Sequence, residues 1–148
     1  MTVPKGWFSS VDRNCVFCAI VSGAMPASVV HEDEDLIAFC DLMPINRGHV
    51  LVVPKRHATN LAELPEETGA LMFPLAQRLA ARIRDSALPA DGINLILADG
   101  RAAGQTVFHV HLHVIPRMVN DGFALHGGAR EATRSDLDQV AGLLRANP

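Results

Sequence analysis

The chain has no surplus of basic residues. Thirteen Lys and Arg stand against sixteen Asp and Glu in 148 residues, a formal net charge of −3. A general grip on a nucleic-acid backbone needs many neutralised phosphates, so a nucleic-acid polymer is not an expected partner. A nucleotide-sized anion needs only a local site and stays open. No apolar run approaches the roughly 18 residues of a membrane span. Asp12, Arg13 and Asn14 fall where a secretory signal needs an unbroken apolar stretch. No membrane partner and a cytoplasmic setting are therefore expected. Three cysteines, at 15, 18 and 40, are too few for a secreted disulfide framework. Neither a Walker-type phosphate loop nor a dinucleotide fingerprint is present.

The apolar content is 49% and the charged content 20%, which makes a disordered chain unlike this one. The length suits one domain over 1–148, with loose ends expected at 1–13 and 118–133. Residues 28–31 and 36–39 read as two strands of a hairpin around the acidic run Glu32-Asp33-Glu34-Asp35. Residues 49–53 form a strand ended by Pro54. Thr59 or Asn60 can cap a short helical turn, and Pro65 suits the start of a longer helix. Leu71, Leu75, Leu79 and Ile83 recur at helical spacing and are expected to face the core. Pro74 lies inside that pattern and predicts a kink or a break. Residues 92–98 and 107–115 read as strands. Ser135 can cap a final helix carrying Leu137, Val140 and Leu144. Strands with segregated helices argue for an α+β fold, with a largely antiparallel sheet of about five strands, a long helix and a C-terminal helix.

Seven histidines are present, three of them in His109-Val110-His111-Leu112-His113-Val114-Ile115. Alternation along a strand puts the imidazoles on one face and the aliphatic residues on the other. Such a face has three uses. Imidazoles at i and i+2 can converge on zinc. One neutral imidazole can attack phosphorus while another stabilises charge. The third use is a merely polar sheet face. Upstream, Cys15-Val16-Phe17-Cys18 spaces two thiols for metal or redox chemistry, although no thioredoxin-like βαβ context surrounds it. Cys40 reads as a small strand residue, and His31 and His126 as surface histidines.

The histidine segment resembles the His-x-His-x-His-x-x signature of the histidine-triad (HIT) superfamily of nucleotide hydrolases and transferases. Gly104-Gln105-Thr106-Val107 before it and Ile115-Pro116-Arg117 after it extend the likeness. Upstream, Phe39-Cys40-Asp41 and the run Gly48-His49-Val50-Leu51-Val52-Val53-Pro54-Lys55-Arg56-His57 are similar to the family's first nucleotide-binding half. The resemblance covers roughly residues 14–123.

The resemblance implies a HIT-like fold and a nucleotide hydrolase or nucleotidyl transferase. His111 would attack a nucleotide α-phosphate, giving a nucleotidyl-histidine that water resolves. His113 would hold phosphate oxygens or the departing group, and His49 would support the triad. Gln105 and Thr106 would bind phosphate, and Asp41 the ribose, with a turn-capping role as its rival. Val16, Phe17, Ile20, Phe39 and Leu51 correspond to the base slot, though core packing is the commoner use for such residues. Some bacterial relatives bring two cysteines together with two histidines. By position these would be Cys15, Cys18, His57 and His109 around a structural Zn2+. Relatives usually place Asn or Gln where this chain has Ala98, so one amide donor fewer is expected at the transition state. A homodimer with a continuous sheet is also implied. Two further readings stand beside the enzyme: a zinc-dependent hydrolase using the histidine cluster, and a nucleotide-binding regulatory module with weak or lost catalysis.

Overall fold

The computed structural model describes residues 14–125 and 127–146. Five strands form one sheet: β1 (Val29–Glu32), β2 (Leu36–Cys40), β3 (Val50–Pro54), β4 (Gly92–Leu97) and β5 (Leu112–Arg117). Their spatial order is β1-β2-β3-β5-β4, and each neighbouring pair is antiparallel. Three α-helices accompany them among the described residues, α1 (Val16–Val21), α2 (Glu66–Asp85) and α3 (Arg134–Ala146). The α+β arrangement expected from the sequence is the one found.

Strand alternation divides the core into two layers. Leu36, Ala38, Val50 and Val52 pack toward the stripe of α2, whereas Ile37, Phe39, Leu51 and Val53 join Phe17 and Cys18 of α1 on the opposite face. The acidic run makes the β1–β2 turn as expected. Asp33 Oδ1 accepts from the backbone N–H groups of Asp35 and Leu36 at 3.0 and 2.8 Å. His31 is not left alone there, since its Nε2 lies 2.8 Å from Asp33 Oδ2.

Three local expectations are revised. Helix α2 is one continuous element through Pro74. Pro74 and Ala70, whose carbonyl loses its helical donor, both lie on the exposed face, where water replaces the missing bond. The buried stripe is Met72, Leu75, Ala76, Leu79 and Ile83, and Leu71 sits on the outer side at 46% exposed. The short turn expected after Thr59 and Asn60 is present over residues 61–63, with Asn60 as its cap. There Thr59 N–H donates to Glu63 Oε2 at 2.8 Å and Glu63 N–H to Asn60 Oδ1 at 3.1 Å. At the start of α3, Thr133 Oγ1 rather than Ser135 accepts from the Asp136 N–H, at 3.2 Å. Leu137, Val140 and Leu144 of this helix are exposed.

The most consequential difference concerns the last strand, read over 107–115 and found over Leu112–Arg117. Residues 107–111 precede the ladder. Val110 N–H donates at 2.8 Å to the carbonyl of Ala58, in the connection after β3, instead of to a neighbouring strand. Extended alternation nevertheless persists. Val110 and Val114 are buried in the layer that packs on α2, with Leu112 against it, and the histidines face the α1 side.

Candidate active site and metal centre

The α1 side of β5 and its extension holds two buried histidine clusters, one behind the other. Phe17 is the partition between them. Its ring meets His109 edge-on at 5.8 Å between centroids and His111 at 5.1 Å. His113 pairs in register with Leu51 of β3 and lies 4.8 Å, ring to ring, from His111.

In the first cluster, His109 is fully buried. Its Nε2 lies 2.7 Å from the Pro54 carbonyl, which can only accept, so the proton resides on Nε2 and the Nδ1 lone pair points the other way. That Nδ1 lies 3.3 Å from Cys15 Sγ, 3.6 Å from Cys18 Sγ and 3.2 Å from His57 Nδ1, while Cys18 Sγ is 3.4 Å from His57 Nδ1. All four ligand atoms lie within 4.8 Å of one another. Zinc bonds of about 2.3 Å to sulfur and 2.0–2.1 Å to nitrogen imply tetrahedral edges of about 3.3–3.8 Å. The spacings match that closely enough for the four donors to hold such an ion with little movement. The local fold makes the pair of thiols: Cys15 caps α1, its Sγ accepting from the Cys18 N–H at 3.5 Å.

In the second cluster the protons can be placed in the same way. Ile45 N–H donates to His49 Nδ1 at 3.1 Å, so neutral His49 carries its proton on Nε2. That N–H donates to His113 Nδ1 at 2.8 Å, with Asp41 Oδ2 3.4 Å away. His113 must then be protonated on Nε2. His111 donates from Nδ1 to the carbonyl of His109 at 2.7 Å, which leaves the lone pair on its Nε2. One ring thus offers a nucleophile and its neighbour a donor.

Burial sets the charge of these rings. Desolvation pushes His113 down to about 4, helped by nearby His111 and His49 and opposed by Asp41. His111 and His49 are also lowered chiefly by burial, with Asp41 opposing in both. His109 is lowered to about 4 by burial, against the bond to Pro54. All four are neutral at pH 7. A protonated His113 is therefore disfavoured in the free site.

The remaining sequence candidates fall into three groups. Gln105 is buried and its amide is committed. Its Oε1 accepts from Gly100 N–H at 2.8 Å, and its Nε2 donates to the carbonyls of Thr59 at 2.8 Å and Val107 at 3.1 Å. In the free site the side chain therefore staples the loop; Thr106, next in the chain, is exposed. Asp41 has one oxygen on the Met43 N–H at 2.9 Å, the turn-capping role, and the other toward His49. Phe17, Phe39 and Leu51 are buried in the α1-side core, whereas Ile20 is half-buried and Val16 is 36% exposed.

Three backbone groups were not legible in advance, the Ile45 N–H and the carbonyls of Pro54 and His109. No side chain signals any of them, because they act through chain path alone. The three triad histidines do not converge on one point, since His109 turns to the thiols while His111 and His113 turn away. Asp41, His49 and His113 also bring ligand atoms within 4.8 Å, but these atoms are already joined by the contacts above. Cys40 is exposed and free, and His126 lies outside the described residues. Among the described residues, no helix is long and apolar enough to cross a membrane.

Comparison with known proteins agrees with this geometry. A family model described as the HIT domain matches residues 22–120. An uncharacterized HIT-like protein of Mycobacterium tuberculosis is 43% identical over 131 residues, 88% of this chain and 90% of that one. The crystal structure of a zinc-bound histidine triad family protein from Mycobacterium smegmatis shares 44% identity with a TM-score of 0.72, covering 90% of this chain and 98% of the other. An adenylylsulfatase of Arabidopsis thaliana is 36% identical over 116 residues, 76% of this chain and 57% of its own length. Buried histidines in this arrangement, on this sheet, with these relatives, carry one conclusion: the chain belongs to the HIT family.

Proposed function

We propose that the protein is a nucleotide hydrolase or nucleotidyl transferase, with His111 as the nucleophile toward a nucleotide α-phosphate. The observation that carries this reading is the His111 Nδ1 contact to the His109 carbonyl at 2.7 Å, which leaves Nε2 unprotonated in a neutral ring. In the first step Nε2 bonds to phosphorus and the bond to the leaving group breaks, its electron pair departing with that group. In the second, water adds to phosphorus and the P–N bond returns its pair to His111. One water is consumed; its oxygen stays on phosphorus and one proton ends on the leaving group. His113 Nε2–H, set by the donor at His49, hydrogen-bonds a phosphate oxygen or the leaving atom as charge grows there. Asp41 and Thr106 line the approach for ribose and phosphate, and Gln105 acts by holding the loop.

The substrate class is a nucleoside phosphoramidate or dinucleoside polyphosphate, and the adenylylsulfatase relative adds adenylyl sulfate to the panel to be assayed. Structural Zn2+ held by Cys15, Cys18, His57 and His109 belongs to the same proposal, supported by the converging donors and the zinc-bound relative. It would tie the start of α1 to the connection after β3. The reading also includes a single domain and a reducing, cytoplasmic setting. A homodimer is included too, supported by β4 standing at the sheet edge; sedimentation tests it. Rapid quenching with substrate followed by mass spectrometry is the deciding experiment. A nucleotide mass on the His111 peptide is expected, and its absence during fast turnover would remove the proposal. Tight nucleotide binding with no turnover across the panel would instead favour a nucleotide-binding module.

A further inference from the structure

A half-buried polar cluster around Asp121 is bonded to the loop that precedes His49, and the proposed chemistry does not use it. Asp121 has a side chain only 3% exposed and collects five donors. Arg117 grips it with two bonds, Nε to Oδ2 and a terminal nitrogen to Oδ1, both at 2.7 Å. The N–H groups of Met118 and Phe123 add bonds at 3.2 and 3.1 Å. The fifth donor is Asn46 Nδ2, at 2.7 Å from Oδ2. The same Asn46 nitrogen donates to the Pro116 carbonyl of β5 at 2.9 Å. Both neighbours can only accept, so the orientation of the amide is fixed by chemistry. Arg117 is itself held from the other side by Asn94 of β4, at 2.6 Å.

Asn46 belongs to the short loop that delivers His49. Its carbonyl accepts from the His49 N–H at 3.1 Å, and its neighbour Ile45 supplies the N–H that fixes the His49 tautomer. The loop closes at Gly48 with φ +92°, where a Cβ would stand 2.8 Å from Leu88 and 3.2 Å from Pro116. With that tight corner at one end and a charge-assisted side-chain bond in its middle, the loop has little freedom to turn its amide away.

We infer that Asn46, anchored by the Arg117–Asp121 pair, is a positioning residue: it aims the Ile45 N–H at His49 and so decides which nitrogen of His49, and in turn of His113, carries the proton. This rests on the proposed role of the His111–His113 pair, and it places the control of that pair in a loop about one turn of chain away. Without Asn46 the Nδ1 of His49 loses its dedicated donor. His49 then samples both tautomers, and in one of them it presents a lone pair to the lone pair of His113 Nδ1. His113 must flip its own proton to answer, which withdraws the donor from the phosphate.

The test uses Asn46→Ala and Asp121→Asn in the full chain, with 15N signals of the histidine rings and steady-state kinetics on the best substrate of the panel. In the unmodified protein His49 and His113 are expected to show Nδ1 as acceptor and Nε2 protonated. In Asn46→Ala, both rings should become tautomer mixtures, with kcat down about tenfold and KM within about twofold. Asp121→Asn keeps the shape and an acceptor but loses the charge; it should shift the same signals with about a threefold loss in kcat. If Asn46→Ala does not fold, the second variant decides alone. A folded variant with a lower melting temperature but unchanged ring tautomers would overturn the inference, as would unchanged kcat. Full activity in His111→Ala would defeat the catalytic reading instead, and the ring signals would still report whether Asn46 sets the tautomer.

Discussion

Histidines 109 and 111 sit two residues apart, face the same layer and are both buried, yet their lone pairs have opposite fates. His109 gives its Nε2 proton to the Pro54 carbonyl and turns Nδ1 into a nest of two thiols and a second imidazole. His111 gives its Nδ1 proton to the His109 carbonyl and keeps its lone pair on Nε2. In each case a single backbone carbonyl selects the tautomer, and the tautomer selects the chemistry. Donors that converge suit a cation; a donor and a lone pair held side by side suit transfer at phosphorus. The two halves are also linked, since the backbone of His109 is the orienting acceptor of His111.

The comparison breaks most severely at the nucleophile. His111→Ala is expected to cut turnover by at least about 10⁴-fold, roughly 5.5 kcal/mol of barrier, while zinc content measured by atomic absorption stays unchanged. Retained turnover would mean that the two halves have been assigned the wrong way round. The opposite cut, Cys18→Ser, should abolish zinc retention and cost about 3–5 kcal/mol of stability, read as a fall in thermal midpoint. Its effect on kcat should be smaller than that of His111→Ala, because Nε2 of His111 is still present.

Acid should separate folding from chemistry. His113 titrates in the unfolded chain near 6.5 but is pushed down to about 4 by burial in the fold. The unfolded state then binds more protons between those values, so stability falls as pH drops from about 6.5 through 4 and is level above 7. The loss from this ring is at most on the order of 3 kcal/mol, measurable by urea melts at pH 7, 5.5 and 4.5. A melt midpoint independent of pH over that range would show that the ring is not held neutral. The smallest of these effects belongs to His49→Ala. It removes the donor to His113 without touching His111, and should lower kcat about tenfold, about 1.4 kcal/mol, with KM little changed.

Much of the fold was legible in residue pattern. The hairpin at 29–40, the buried strand at 50–54 and the long amphipathic helix announce themselves through period and punctuation. Errors fell where local rules compete with packing. Pro74 predicts a kink or a break, and the break does not occur: the residue lies on an exposed helical turn, where solvent can reach the carbonyl left without a donor, and the buried stripe holds the element together. Leu71 fits the helical spacing as well as Met72 does, and only the position of the sheet decides which faces inward. In the site, the spacing of His109, His111 and His113 marks a shared face. Gln105 carries a second task that residue type alone does not announce: in the free site its amide bonds to Gly100, Thr59 and Val107 and so holds the loop before the histidines.

By itself the sequence determined an antiparallel α+β sheet, a clustered imidazole face and a pair of thiols able to join it, because periodicity and residue chemistry are local properties. Only the tertiary structure decided which nitrogen of each ring is left with its lone pair, Nδ1 toward the thiols in His109 and Nε2 in His111. That decision is made by the carbonyls of Pro54 and His109 and the N–H of Ile45, and backbone groups are the same at every residue until the fold gives each one a partner.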